Sequence, residues 1–91
     1  MEYQINIEEE AEKDIILAKC YYKRSNQEKA FDRDFLNQIT YLKANPFLFQ
    51  IYYKDIRVIH FKNFLYSIHY IINDNVVFII RVLHQYQYKD S

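Results

Sequence analysis

The chain has 91 residues with twelve basic and twelve acidic side chains, about half of it hydrophobic and 19% aromatic. That length supports one modest core and argues against a second domain, so residues 1–91 are expected to form a single unit. The composition is too apolar for a disordered chain, and the balanced charge argues against a protein that binds nucleic acid through a global basic excess.

The near-apolar runs at 66–72 and 76–83 are far shorter than the ~20 residues of a membrane-spanning helix. The start, Met1-Glu2-Tyr3-Gln4, lacks a signal-type basic and apolar pattern, so the expected location is the cytoplasm, without a membrane partner. Cys20 has no second thiol for a disulfide or a thiolate metal site and reads as a small core or boundary hydrophobe on a helix. His60, His69 and His84 lack a carboxylate or cysteine at metal-ligand spacing, so no metal or other cofactor is expected. Residues 1–45 hold nine acids and seven bases, whereas 46–91 hold three acids, five bases and all three histidines. An anionic partner should therefore meet the C-terminal half.

In chain order, Tyr3-Gln4-Ile5-Asn6-Ile7 alternates with period two, which predicts a short strand with Tyr3, Ile5 and Ile7 inward. Ala11, Ile15, Ala18 and Tyr22 form one stripe of an amphipathic helix, with Glu8, Glu9, Glu10 and Glu12 at its positive end and Lys19, Lys23 and Arg24 at its negative end. Ser25-Asn26-Gln27-Glu28 fits a capping box and predicts that a second helix begins there. Phe31, Phe35, Ile39 and Leu42 continue it until Asn45-Pro46 removes a backbone donor and disfavours helical φ/ψ.

Beyond Pro46, β-branched and aromatic residues predict strands over 49–53, 56–61, 66–72 and 76–84. Asn73-Asp74-Asn75 should close the last hairpin, and with no glycine in the chain every turn of this kind should depend on Asn or Asp. The predicted fold is α+β: an N-terminal strand and a two-helix antiparallel hairpin packed on one face of a curved antiparallel sheet.

Strict alternation in the last strand puts Val77, Ile79, Arg81 and Leu83 on one face and Val76, Phe78, Ile80, Val82 and His84 on the other. Arg81 interrupts this apolar strand, and burying it unpaired would be very costly, so it should reach solvent or pair with Asp55 or a glutamate of the first helix. His84 lies where the strand leaves the sheet. Lys54, Arg57, Lys62 and Arg81 are candidates for one positive surface, with Tyr52, Tyr53, Tyr66, Tyr86 and Tyr88 interleaved as stacking or packing residues. There is no glycine-rich phosphate loop and no defensible Ser-His-Asp order.

Ala11-Glu12-Lys13-Asp14-Ile15 leading to Tyr21-Tyr22, Phe35-Leu36-Asn37-Gln38-Ile39 leading to Asn45-Pro46, Ile56-Arg57-Val58-Ile59, the segment 64–70, and Val77-Phe78-Ile79-Ile80-Arg81-Val82-Leu83-His84 follow one another in an order and spacing that resembles the RelE/ParE toxin superfamily across nearly the whole chain. The resemblance implies a growth-inhibiting toxin of a type II toxin–antitoxin module, bound and neutralised by a cognate antitoxin in a hetero-oligomer. In this superfamily RelE-like members cut mRNA on the ribosome, and ParE-like members poison DNA gyrase without hydrolytic residues. Ser67 stands where RelE-like nucleases commonly carry arginine, and the usual basic ending has become Gln85-Tyr86-Gln87-Tyr88. A nuclease must stabilise a charged transition state with cations, so the ParE-like branch is favoured. The target-binding residues are then Lys54, Arg57, Lys62, Arg81, His84 and Tyr88. The alternatives are a RelE-like nuclease, with Arg57, Arg81, His84 and Tyr86 as its catalytic candidates, and a non-toxic relic that retains antitoxin binding. The free cations and imidazoles of the C-terminal half would supply the working surface.

Overall fold

A computed structural model describes residues 2–86, and the candidate Tyr88 lies outside the described residues. The chain runs β1 (Gln4–Ile7), α1 (Glu9–Lys23), α2 (Glu28–Ala44), a single 3-10 turn (Pro46–Leu48), β2 (Ile51–Tyr53), β3 (Ile56–His60), β4 (Tyr66–Asn73) and β5 (Val76–His84). The five strands form one sheet in the order β1-β5-β4-β3-β2. β2 to β5 pair antiparallel with their neighbours, whereas β1 runs parallel to β5, with Ile5 beside Val77 and Ile7 beside Ile79. Parallel neighbours need a long crossover, and here everything between Ile7 and Val76 provides it.

Both predicted helical stripes face the sheet. Ala11 and Ala18 are buried on α1, with Ile15 and Tyr22 packed against the core, and α2 buries Phe31, Phe35, Ile39 and Leu42. The sheet answers with Ile59, Phe61, Ile68, Tyr70, Val77, Ile79 and Val82. At one end Tyr22, Phe31, Phe61, Phe64 and Tyr66 form an aromatic cluster, with Tyr22 and Phe64 edge-on at 4.8 Å and Phe31 and Phe61 at 4.9 Å between ring centroids. Such pairs add to the free energy of burial alone.

Four local expectations are corrected. Ser25 does not cap α2: its Oγ lies 3.3 Å from the Tyr22 carbonyl and 3.2 Å from Gln27 Oε1, and the helix starts at Glu28 after Gln27, because Asn26 takes a positive φ of 61° and turns the chain first. Cys20 is exposed, since it follows Leu17 on the outer side of α1 and not the Ala11-Ala18 stripe. Asp74 has the positive φ expected of an Asn/Asp turn, but the β2–β3 turn places Lys54 at φ 48°. Finally, β5 carries a bulge: Tyr70 pairs with Ile79 and His69 with Arg81, so Ile80 is an extra residue. The inward set becomes Val77, Ile79 and Val82, and Arg81 and Leu83 turn to the face away from the helices.

Candidate functional site

The bulge keeps a guanidinium out of the core, and α1 then captures it. Arg81 Nε donates to Asp14 Oδ2 at 2.7 Å and Nη2 to Oδ1 at 3.1 Å, while the Val82 backbone N–H donates to Oδ2 at 2.9 Å. β1 pairs with β5 only as far as Ile79, so Asp14 satisfies the strand edge just beyond the end of that ladder. The hydrogen bonds that Arg81 donates to Asp14 raise the Arg81 pKa above its usual value. Arg81 therefore pairs with an aspartate of α1 and not with Asp55 or a glutamate.

Arg57 is also engaged. Its Nη1 donates to the Phe49 carbonyl at 2.6 Å, and its guanidinium carbon stands 5.2 Å from the Phe47 ring centroid. Tyr70, fully buried, donates its hydroxyl to the Pro46 carbonyl at 2.7 Å, and burial pushes its pKa up to about 12. Together these two side chains clasp the segment 46–49 onto the sheet. The expectation that Arg57 and Arg81 stand free for a macromolecule is thus corrected: long-range packing gives each an intramolecular partner.

Lys54 lies in the turn before β3 and Lys62 just after its other end, both exposed, so the four cations do not gather into one surface. Three groups result. Lys54 and Arg57 lie near the β2–β3 turn, Arg81 on β5 against α1, and Lys62 in the loop between β3 and β4.

The face away from the helices holds a polar cluster. His60 Nδ1 and Ser67 Oγ are 2.6 Å apart, and the Tyr53 hydroxyl lies 3.1 Å from His69 Nδ1. His60 is exposed and His69 fully buried. Desolvation, reinforced by the charges of Arg81 and His60, lowers the His69 pKa to about 4, which keeps its imidazole neutral at pH 7. The two histidines share one face, as their neighbouring strands allow, and among the described residues no group of three or more His, Cys, Asp or Glu forms there that could hold a metal.

His84 enters a different setting. It packs edge-on against Tyr66 at 5.2 Å and beside Tyr86 at 5.2 Å, and its Nδ1 accepts the Tyr86 N–H at 3.3 Å. It lines a cleft of about 500 Å³ between α2 and the β3–β4 loop, with Tyr22, Gln27, Ala30, Arg33, Asp34, Asn37, Asn63, Phe64 and Leu65. Asp34, 2% exposed, shapes this cleft: it accepts the Asn63 N–H at 2.7 Å, the Lys62 N–H at 3.2 Å and Gln38 Nε2 at 3.0 Å. Sequence reasoning missed this arrangement. The available signal was an acid one residue before Phe35 and three after Phe31, inside the buried stripe of α2.

The model of the family described as "ParE toxin of type II toxin-antitoxin system, parDE" matches residues 5–87. No curated protein matches the chain in sequence. Among solved structures, a chain of the chromosomal ParDE toxin–antitoxin system from P. aeruginosa superposes with a TM-score of 0.78 at 11% identity, covering 90% of this chain and 95% of that one, which establishes the shared fold. With its helical hairpin, its sheet and a family match over nearly its whole length, the chain belongs to the ParE toxin family of type II toxin–antitoxin systems.

Proposed function

We propose that the protein inhibits growth by binding a macromolecular target, DNA gyrase, in the cytoplasm, and that a cognate antitoxin neutralises it. The observation that carries this reading is the family match over residues 5–87. The fate of the cations agrees with it. Arg57 and Arg81 hold the fold together, Lys54 and Lys62 sit at opposite ends of β3, and Ser67, at the position where the resemblance to RelE-like nucleases implies an arginine, is a buried hydroxyl hydrogen-bonded to His60. Phosphodiester cleavage needs preorganised positive charge at one point, and a protein–protein poison does not. Purified protein should inhibit gyrase supercoiling in a dose-dependent way, and expression without the neighbouring gene should arrest growth. Full supercoiling at excess protein would remove gyrase as the target.

A second reading, ribosome-dependent mRNA cleavage, is favoured by one observation: two imidazoles, His60 and His69, and two hydroxyls, Ser67 and Tyr53, gather on the face turned from the helices. Primer extension on translated messages after induction separates the two, because only a nuclease creates new 5′ ends. Unimpaired growth on expression alone would instead identify a relic that retains antitoxin binding.

A further inference from the structure

The cleft between α2 and the β3–β4 loop brings together cationic, amide and aromatic groups, with His84 on its wall. We propose that it docks a carboxylate-bearing peptide segment of the antitoxin. The inference rests on the toxin–antitoxin reading above and deepens it by placing one anchor of that partner.

The cleft holds one exposed cation, Arg33, and one buried acid, Asp34, that is already hydrogen-bonded. Arg33 lines it with no ion pair among the described residues, His84 stands on its wall, and Lys62 is exposed in the adjoining loop. The lining contains one acid, Asp34, whose two oxygens already accept from the Lys62 and Asn63 amides and from Gln38. Asp32, its neighbour on α2, is tied to Lys19 at 3.6 Å. An incoming carboxylate therefore meets Arg33 without competition from the cleft's own acid, and complementary charge of this kind directs partner choice.

The remaining lining suits a peptide better than a nucleic acid. Tyr22 and Phe64 form an apolar wall, and the side-chain amides of Asn37 and Asn63 each donate and accept, as a peptide backbone requires. A phosphate would seek the paired backbone N–H groups of Lys62 and Asn63, but Asp34 occupies that cradle. The chain's zero net charge likewise gives a polyanion no general attraction. A volume of about 500 Å³ is that of a site for a few side chains.

The test titrates the full chain, isotopically labelled for amide NMR, with the purified product of the adjacent reading frame. Signals of Arg33, Asn37, Asn63 and Phe64 should move. Arg33→Glu and Ala30→Trp, both at exposed positions, should each weaken binding by ~10-fold or more, and Lys43→Glu, exposed in the last turn of α2 away from the cleft, by less than about twofold. Thermal unfolding of each variant verifies that the fold survives, and Asn37→Trp serves as a second blocking variant if either fails to fold. Wild-type affinity in both cleft variants, with tight binding by the parent, overturns the docking site and leaves the toxin–antitoxin reading standing. No binding by the parent defeats both. If a single-stranded RNA oligonucleotide moves the same signals and the protein partner does not, the carboxylate assignment is wrong.

Discussion

Asp14 and Arg81 form a two-pronged ion pair between α1 and the edge of β5, and the same carboxylate also caps the Val82 amide at 2.9 Å. The two halves of this contact differ in energy. The guanidinium is 44% exposed, so water screens its attraction, whereas the amide is part-buried and loses its acceptor if Asp14 is removed. Arg81→Met should therefore cost about 1 kcal/mol or less of folding stability and Asp14→Ala about 2 kcal/mol. Urea unfolding of both variants checks the order, and an Arg81→Met cost equal to or above that of Asp14→Ala would contradict it.

Asp34 is the hinge of the cleft. Replacing it with Ala leaves two loop amides and Gln38 without an acceptor, for a loss of about 3 kcal/mol. Hydrogen exchange gives the sharper signature: the Lys62 and Asn63 amides should lose protection while the β4–β5 amides keep theirs.

Tyr70 links the sheet to the Pro46 carbonyl. Its folded pKa of about 12 lies above the ordinary 10.0, so the folded state holds its proton more tightly than the unfolded chain does. The corresponding stability is complete below pH 10 and is lost as pH rises towards 12. Tyr70→Phe should lower stability by about 1 kcal/mol at neutral pH and flatten the alkaline decline relative to the parent. Chemical denaturation across this range in both proteins measures the difference.

His69 behaves in the opposite sense. Its folded pKa of about 4 lies below the ordinary 6.5, so the unfolded chain takes up the proton first. Stability from the neutral imidazole is full above pH 6.5 and falls as pH drops towards 4, by up to ~3 kcal/mol. Imidazole NMR should show His69 titrating well below neutrality. A midpoint near 6.5 would mean that the ring is hydrated.

Lys54 adopts a left-handed conformation that a Cβ disfavours. Lys54→Asn should stabilise the fold by about 0.5–1 kcal/mol while leaving the β2–β3 pairing intact. A lower thermal midpoint would show that the lysine side chain makes a compensating contact.

The helices and strands were legible because burial imprints a period on the chain. Phe31, Phe35, Ile39 and Leu42 all reach the core, and the expected strand spans agree with those found to within two residues at each end. Faces were less legible in β5. One extra residue at Ile80 inverts every later side chain, and although Arg81 interrupts the apolar run, nothing in the residue order marks where the extra residue falls. The capping box failed because Asn26 turns the chain at positive φ, which leaves the Ser25 hydroxyl beside the Tyr22 carbonyl and Gln27 Oε1 as a donor and not beside a helix amide as an acceptor.

The amino-acid order alone determined the family resemblance, the α+β element order and the inward stripe of each helix, since all three follow from local periodicity and segment spacing. Tertiary structure alone decided which charges are committed and which can receive a partner: Arg81 to Asp14, Arg57 to Phe49, Asp34 to the loop amides, and Arg33 to the cleft wall. The physical reason is that the partner of each group comes from a distant part of the chain, or from a surface that exists only after the helices settle on the sheet. Electrostatic energy depends on those through-space distances, which no linear spacing encodes.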